Sequence, residues 1–229
     1  MKNRIFVTGD KHGSLELKHL SNKNWPLARE LTREDTLIIC GDTGCMWDDS
    51  NETRYWDDWL EARPFTIVTC WGNHENYDKI RSLPREEWNG AIVRKVRPHV
   101  MYVENGEIFT LNNQTFFVMG GATSIDRARR VEGKSWWAAE IPSKEEMEHA
   151  VDNLEKHNMR VNHIITHTAP NWILDKFWYE HDSLTNFLTN YVERFVEFDN
   201  WWFGHFHNNR NFGRAYNYHM LYHDIEEIK

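Results

Sequence analysis

The chain has 229 residues, 40% hydrophobic and 27% charged, and this balance excludes collagen-like, low-complexity and disordered proteins. Asp and Glu outnumber Lys and Arg by 35 to 27, so the formal net charge of -8 argues against a long nucleic acid as partner. The sequence has no apolar run near the ~20 residues of a membrane span. Its three cysteines lack a zinc-finger spacing. We therefore expect a cytoplasmic protein that has no membrane partner.

Short apolar runs alternate with helical patterns along the chain, as in proteins whose strands are interleaved with helices. The predicted buried strands are Ile5–Thr8, Thr36–Cys40, Phe65–Cys70, His163–Thr166 and Trp201–Phe203. The predicted helices are Arg54–Ala62, Ser143–His157 and Ser183–Val196. Further strands, some paired in hairpins, are predicted over Ile92–Val96, Val100–Val103, Glu107–Leu111, Phe116–Met119, Tyr216–Tyr222 and Ile225–Ile228. This order predicts an α/β sandwich with mixed sheets, in a single domain over residues 1–229.

Residues that can bind a metal ion or transfer a proton follow the carboxyl ends of the five buried strands, where α/β sheets bind their ligands. The five blocks are Asp10-Lys11-His12, Gly41-Asp42, Gly72-Asn73-His74-Glu75, His167 and Gly204-His205-Phe206-His207. Residues two apart in extended chain face the same side, so the Asp-x-His and His-x-His pairs each present two side chains to one point. Seven side chains of these blocks, namely two aspartates, one asparagine and four histidines, are candidate metal ligands. Seven ligands are too many for one metal ion and fit two divalent ions that share a carboxylate. Mixed nitrogen and oxygen donors suit Mn²⁺, Fe or Zn²⁺ better than Ca²⁺ or Mg²⁺. Of these we expect Mn²⁺, with Fe or Zn²⁺ as alternatives.

In this order the five blocks resemble the calcineurin-like metallophosphoesterases, whose pattern is Asp-x-His, Gly-Asp, Gly-Asn-His-Asp/Glu, His and Gly-His-x-His. The resemblance implies a four-layer α/β/β/α sandwich with a dinuclear metal site at one edge. It implies that the ligands of one ion are Asp10, His12, Asp42 and His207. It implies that the ligands of the other are Asp42, Asn73, His167 and His205, with Asp42 as the bridge.

The same resemblance implies the reaction, which is attack on a phosphoester by a hydroxide that bridges the two metal ions. His74 is not a ligand in the family pattern and would donate to the leaving oxygen or to the phosphoryl oxygens. Glu75 or Asp10 would orient the ring of His74 from the second layer of contacts. We accordingly expect His74 and Glu75 to be catalytic.

The substrate class depends on fewer residues. The Ser/Thr protein phosphatase branch extends its second block to an arginine that holds phosphate, and residues 41–47 of this chain lack that arginine. The sequence Thr166-His167-Thr168-Ala169-Pro170 is closer to the diesterase branches. A phosphodiesterase that acts on a small or nucleotide-like phosphoester is therefore the leading hypothesis. The alternatives are a phosphomonoesterase or Ser/Thr protein phosphatase, a metal-dependent nuclease and a catalytically silent interaction module.

Two further features are candidates for substrate contact. A basic loop carries three arginines, which would either bind a phosphate or pair with neighbouring carboxylates. Two tryptophans lie beside ligand blocks and would either stack on a base or pack in the interior. These candidates are Arg127, Arg129, Arg130, Trp47 and Trp71.

Overall fold

The computed structural model describes residues 3–213 and 217–229, and these form two mixed β-sheets with helices on both outer faces. The strands are β1 Ile5–Thr8, β2 Thr36–Ile39, β3 Thr66–Thr69, β4 Glu86–Trp88, β5 Ala91–Arg97, β6 Val100–Val103, β7 Ile108–Leu111, β8 Gln114–Met119, β9 His163–Thr166, β10 Asn200–Phe203, β11 Arg210–Phe212, β12 Tyr218–Met220 and β13 Ile225–Ile228. The α-helices are α1 Asn51–Glu61, α2 Tyr77–Arg81, α3 Lys144–Lys156, α4 Asn171–Leu174, α5 Ser183–Phe187 and α6 Glu193–Phe195. Short 3-10 turns and one π-helical turn, Leu188–Val192, connect them.

The first sheet has the strand order β13-β1-β2-β3-β6-β5-β4, and the second has the order β11-β12-β10-β9-β8-β7. Strands β1, β2 and β3 run parallel to one another in the first sheet. Strands β9 and β10 run parallel in the second. Parallel neighbours end at the same edge of their sheet, so the loops that carry the five sequence blocks leave each sheet on one side.

Side chains alternate along the strands and so divide the apolar interior into three layers. Val7 of β1 faces the second sheet and belongs to the cluster between the two sheets. Phe6, its neighbour in sequence, faces outward and shares a cluster with Leu60 of α1. On the second sheet, Phe117 faces outward into a cluster with Leu154 of α3. The order helix, sheet, sheet, helix confirms the predicted four-layer α/β/β/α sandwich.

The helix predicted over Ser183–Val196 is divided by the π-helical turn, because Thr189 takes part in side-chain bonding there. Its hydroxyl donates to the carbonyl of Thr185 at 2.8 Å and accepts from the backbone N–H of Asn171 at 2.8 Å. Such bonding competes with regular helix hydrogen bonds. Helix α1 begins earlier than predicted because Ser50 caps it, accepting from the backbone of Thr53 at 3.1 Å.

Two short, polar strands, β4 and β11, were not predicted from the sequence. The strand predicted over Tyr216–Tyr222 is β12, and its first predicted residue, Tyr216, lies outside the described residues. None of the helices described for this chain combines the length and the apolar character needed to cross a membrane.

Candidate metal centre

The five sequence blocks meet at one edge of the sandwich, around two buried carboxylates. Asp10 and Asp42 are 0% and 1% exposed. Oδ2 of Asp42 lies 3.2 Å from Nε2 of His12 and 3.4 Å from Nε2 of His167. His12, Asp42 and His74 form one group of ligand atoms within 4.8 Å of one another, and Asp10, Asp42 and His167 form another. Asp42 therefore belongs to both groups.

The three other predicted ligands lie beside these groups. Oδ1 of Asn73 is 2.9 Å from Nε2 of His167. The ring of His205 is centred 5.1 Å from that of His167, and the ring of His207 is centred 4.8 Å from that of His12. The structure thus brings together all seven side chains that the sequence indicates as metal ligands.

Four non-glycine residues of the site have left-handed backbone, at φ values that L-residues rarely adopt. They are His12 at 42°, Asp42 at 51°, His205 at 68° and His207 at 48°. Backbone strain of this kind costs of order 1–3 kcal/mol per residue and concentrates at functional sites. The fold therefore maintains these four side chains in position against a local cost.

Two glycines allow the backbone to approach the carboxylates closely. A Cβ atom at Gly72 would lie 2.1 Å from Oδ1 of Asp42, and one at Gly204 would lie 2.6 Å from Oδ1 of Asp10. Both distances are far below van der Waals contact, so neither position has space for a side chain. The carboxylates are therefore enclosed by backbone on one side and by imidazoles on the other, a nitrogen and oxygen donor set that fits divalent transition-metal ions.

The carboxylates and imidazoles shift the pKa values of one another. Burial raises the pKa of Asp10, with His167 opposing the rise. Burial acts in the same direction on Asp42, but His167 and His12 outweigh it and hold the pKa of Asp42 well below its usual range. Burial acts to lower the pKa of His167, yet the two carboxylates raise it to about 9. The centre is therefore a buried cluster of carboxylates and imidazoles with shifted pKa values, of the kind found at functional sites.

Glu16 and Tyr222 support the histidines from outside, and sequence reasoning missed both. Oε2 of Glu16 lies 3.2 Å from Nδ1 of His12, and the hydroxyl of Tyr222 is hydrogen-bonded to Glu16. The Tyr222 ring stacks on that of His207 at 4.8 Å with an interplanar angle of 3°. Glu16 is four residues after His12, a spacing that could have suggested it. Tyr222 follows the last block by 15 residues and has no comparable signal in the sequence.

A second set of contacts orients Asn73 and His167. The amide of Asn73 donates to Oγ of Ser124 at 3.1 Å, and that hydroxyl donates to Oε2 of Glu140 at 2.6 Å. Nδ1 of His167 lies 2.7 Å from the carbonyl oxygen of Cys40. With Nδ1 used in this way, Nε2 of His167 is the nitrogen directed at Asp42.

Glu75 is buried and binds the loop that carries Asp42 rather than the ring of His74. Its carboxylate accepts from the backbone N–H of Thr43 at 2.8 Å and of Gly44 at 3.3 Å, and from the hydroxyl of Tyr102 at 2.6 Å. The structure therefore differs from the expectation that Glu75 orients the His74 ring, because the carboxylate is hydrogen-bonded to these three donors instead.

His74 lies instead beside an arginine. Its Nε2 is 3.5 Å from Nη2 of Arg130, which Asp126 fixes through a bond of 2.7 Å. Burial lowers the pKa of His74; Asp42 opposes this effect and Arg130 adds to it. The His74 ring next to a fixed guanidinium can receive an anionic group such as phosphate.

Two cavities open onto the centre. The first, of about 510 Å³, is lined by His12, His74, Arg130, Trp47 and Trp56 among others. The second, of about 240 Å³, is lined by His205, Arg127, Ile125 and Trp178 among others. Among the described residues, none lines both cavities.

The substrate-contact candidates separate accordingly. Arg130 and Trp47 line the first cavity, and Arg127 lines the second. Arg129 is exposed and, among the described residues, lines neither. Trp71 is buried, with its ring stacked on Tyr77 at 4.8 Å, so of its two predicted roles it has the packing one.

Comparison with known proteins supports the family that the motifs indicate. A family model described as calcineurin-like phosphoesterase matches residues 3–209. This match confirms the predicted family, and its description supports the predicted class of enzyme, a metal-dependent hydrolase of phosphoesters. No curated protein sequence matches the chain. Among solved structures, the sulfate thiohydrolase SoxB of Thermus thermophilus, in complex with glycerol, has a TM-score of 0.44 and 13% identity. That alignment covers 97% of this chain and 51% of SoxB, so the chain spans about half the length of that protein.

Proposed function

Because the chain belongs to the calcineurin-like phosphoesterase family, we propose that it is a dinuclear metal-dependent hydrolase of small or nucleotide-like phosphodiesters. The observation that carries the proposal is the position of Asp42, whose carboxylate lies against His12 on one side and His167 on the other. A carboxylate shared by two groups of nitrogen and oxygen donors suits two adjacent divalent cations.

The proposed ligands are divided between two ions. Those of one ion are Asp10, His12, Asp42 and His207, and those of the other are Asp42, Asn73, His167 and His205. Imidazole, carboxylate and amide donors together suit Mn²⁺, with Fe or Zn²⁺ as alternatives. When bound, two such ions would supply the positive charge that activates the attacking water and neutralises the phosphoryl oxygens.

We assign His74 to the leaving oxygen of the ester. The ring of His74 lies beside the guanidinium of Arg130. The positive charge of that group disfavours binding of a metal ion to Nε2 of His74. Water adds to phosphorus while the ester P–O bond breaks, and the electron pair of that bond goes to the leaving oxygen. The leaving oxygen takes a proton from His74, and the proton lost by the water restores the ring.

Arg130 is assigned to a phosphoryl oxygen. Asp126 and the carbonyl of Ser135 hold its guanidinium at 2.7 and 2.9 Å, so little side-chain freedom remains to be lost on binding. It would take the place of the arginine that protein phosphatases have in their second block. We therefore assign substrate contact in the first cavity to Arg130 and Trp47, and in the second to Arg127.

A diester is favoured over a monoester because two separate cavities adjoin the centre. The first reaches His74 and the second reaches His205. A diester has two ester arms, whereas a phosphomonoester or a phosphoprotein has one and would leave the second cavity without an occupant. The net charge of -8 disfavours a metal-dependent nuclease that binds long polymers.

We also propose a cytoplasmic location. Cys40, Cys45 and Cys70 are all buried, free thiols. Thiols persist in this form in a reducing compartment.

The test compares two substrates with one leaving group. Bis(p-nitrophenyl) phosphate and p-nitrophenyl phosphate are each incubated with Mn²⁺-loaded enzyme, with and without a chelator. We expect turnover of both to require metal and kcat/KM to be higher for the diester. Preference for the monoester would support the phosphatase alternative, and turnover of neither by metal-loaded protein would support the silent interaction module.

A further inference from the structure

Trp178 is a large apolar residue that the fold leaves almost wholly in solvent. It is 93% exposed, and its backbone has φ 60°, in the left-handed region that bulky residues rarely adopt. The exposed indole gains almost no free energy from burial on folding, and the strain of its backbone opposes folding. That strain is not offset by a packing contact that the described residues give to this side chain.

The two residues that flank Trp178 in sequence are packed against the body of the protein instead of exposed. Phe177 packs against Phe206 at 5.0 Å between ring centroids, and Tyr179 stacks on the same ring at 5.1 Å with an interplanar angle of 13°. Two aromatic residues thus anchor this segment to the body of the protein. The left-handed residue between them is turned outward, where it lines the second cavity.

Ile125 adds a second exposed apolar side chain to the same cavity. It is 73% exposed and comes from the basic loop, which is distant from Trp178 in sequence. The cavity also reaches His205, one of the proposed metal ligands. An apolar rim on two separate segments, beside the proposed reaction centre, marks a place for an apolar group of the substrate.

The position of His74 decides which ester arm this is. His74, assigned above to the leaving oxygen, lines the first cavity and is absent from the lining of the second among the described residues. The leaving arm therefore belongs in the first cavity. The arm that stays on phosphorus belongs on the other side of the centre, next to His205.

We propose that the second cavity binds the retained ester arm of the substrate and that this arm is a planar ring, aryl or nucleobase-like, stacked on Trp178. This inference rests on the proposed phosphodiesterase function. A volume of about 240 Å³ suffices for one aromatic ring, because a cavity of about 150 Å³ can hold benzene. Stacking on an exposed indole is favourable for any planar ring and requires no particular hydrogen bonds.

The test uses two diesters that share the p-nitrophenolate leaving group and differ in the retained arm. These are methyl p-nitrophenyl phosphate and phenyl p-nitrophenyl phosphate, with the ratio of their kcat/KM values as readout. We expect the phenyl ester to be favoured by about tenfold in the wild type. Trp178→Ala should reduce the ratio to near one, and Trp178→Phe should retain most of it. Because Trp178 is so exposed, the Ala variant should fold normally.

Phe195→Ala is the matched control, since Phe195 is also an exposed aromatic residue, at 53%, and lines neither cavity among the described residues. This control should keep the wild-type ratio. A ratio that is unchanged in Trp178→Ala, or one that falls in Trp47→Ala instead, would overturn the inference while leaving the phosphodiesterase function in place. Turnover of neither diester by any form would contradict the proposed function itself.

Discussion

The backbone N–H of His74 donates a hydrogen bond of 2.7 Å to Oδ1 of Asp42, so two motif blocks 32 residues apart are joined at the proposed metal centre. One oxygen of the carboxylate is thereby used to fix the loop. The other, Oδ2, is left to face the imidazoles. The position of this carboxylate relative to the loop of His74 is therefore the geometric basis of the site.

Substitution of Gly72 should disturb that position directly. A Cβ there would lie 2.1 Å from Oδ1 and 2.2 Å from the backbone nitrogen of Asp42, so Gly72→Ala must displace the carboxylate. We expect loss of at least one bound metal ion per chain and a cost in stability of about 1–3 kcal/mol. Metal content and urea denaturation measure the two effects.

Gly133→Ala is the control for this variant. Gly133 has φ +73°, so an Ala there is strained, but its Cβ would meet no atom within 4 Å. It should lose some stability and retain its metal. Equal metal content in the Gly72→Ala and Gly133→Ala proteins would show that the close approach to Asp42 is not important for the centre.

Arg130 and Arg129, adjacent in sequence, should differ sharply in their effect on catalysis. Arg130 lines the first cavity beside His74, whereas Arg129 does not. A charge-assisted hydrogen bond to phosphate contributes about 1.5–3 kcal/mol, so Arg130→Ala should lower kcat/KM by about 10- to 100-fold. Arg129→Ala should remain within twofold of the wild type. Equal losses in the two variants would remove the assignment of Arg130.

His74→Ala tests the role of the ring in proton transfer. The side chain is assigned to the leaving oxygen and not to a metal ion, so the variant should retain both metals and lose about 10²- to 10⁴-fold in kcat. The loss should shrink for substrates whose leaving group needs no proton, such as p-nitrophenolate, compared with alkyl esters. Loss of metal together with activity would instead identify His74 as a ligand.

His163 should make the protein less stable in acid. It is buried under Phe116, its Nδ1 lies 3.3 Å from the indole N–H of Trp202, and burial lowers its pKa to about 4 from the usual 6.5. In the unfolded chain His163 therefore binds a proton below about pH 6.5, whereas in the folded protein it binds one only below about pH 4. Titration of His163 therefore leaves the free energy of unfolding unchanged above pH 6.5. Between pH 6.5 and pH 4 it lowers that free energy by at most about 1.4 kcal/mol per pH unit.

The measurement is the difference in unfolding free energy between the wild type and His163→Gln, followed from pH 7 to pH 4.5. The wild type should be more stable at pH 7, and its advantage should narrow as the pH falls. A difference that is constant over this range would show that His163 does not titrate as its environment requires.

Much of the site could be predicted from the sequence because each ligand block is local. Asp10 and His12 are two residues apart and follow a buried strand, which already places both at the end of that strand. Parallel pairing then brings the ends of neighbouring strands together, so the meeting of Asp42 with His12 follows from the fold class. The family pattern added the proposal of which of these residues would share an ion.

The supporting contacts could not be predicted in this way, because they join residues with no regular spacing. Tyr222 stacks on His207 from a strand-flanking loop near the end of the chain, and Glu75 turns to the loop of Thr43 rather than to its neighbour His74. The outward position of Trp178 depends on a left-handed residue between two anchored aromatics, which composition does not reveal. Such features are fixed by tertiary packing rather than by local sequence.

The most direct test of the account is the number of metal ions that the chain binds. The protein is loaded with Mn²⁺, desalted and analysed by inductively coupled plasma mass spectrometry, beside the Asp42→Asn variant. We predict two ions per chain in the wild type and at most one in the variant, because Asp42 is the carboxylate common to both groups. One ion or none in the wild type, or two ions retained by Asp42→Asn, would contradict a dinuclear centre bridged by this residue.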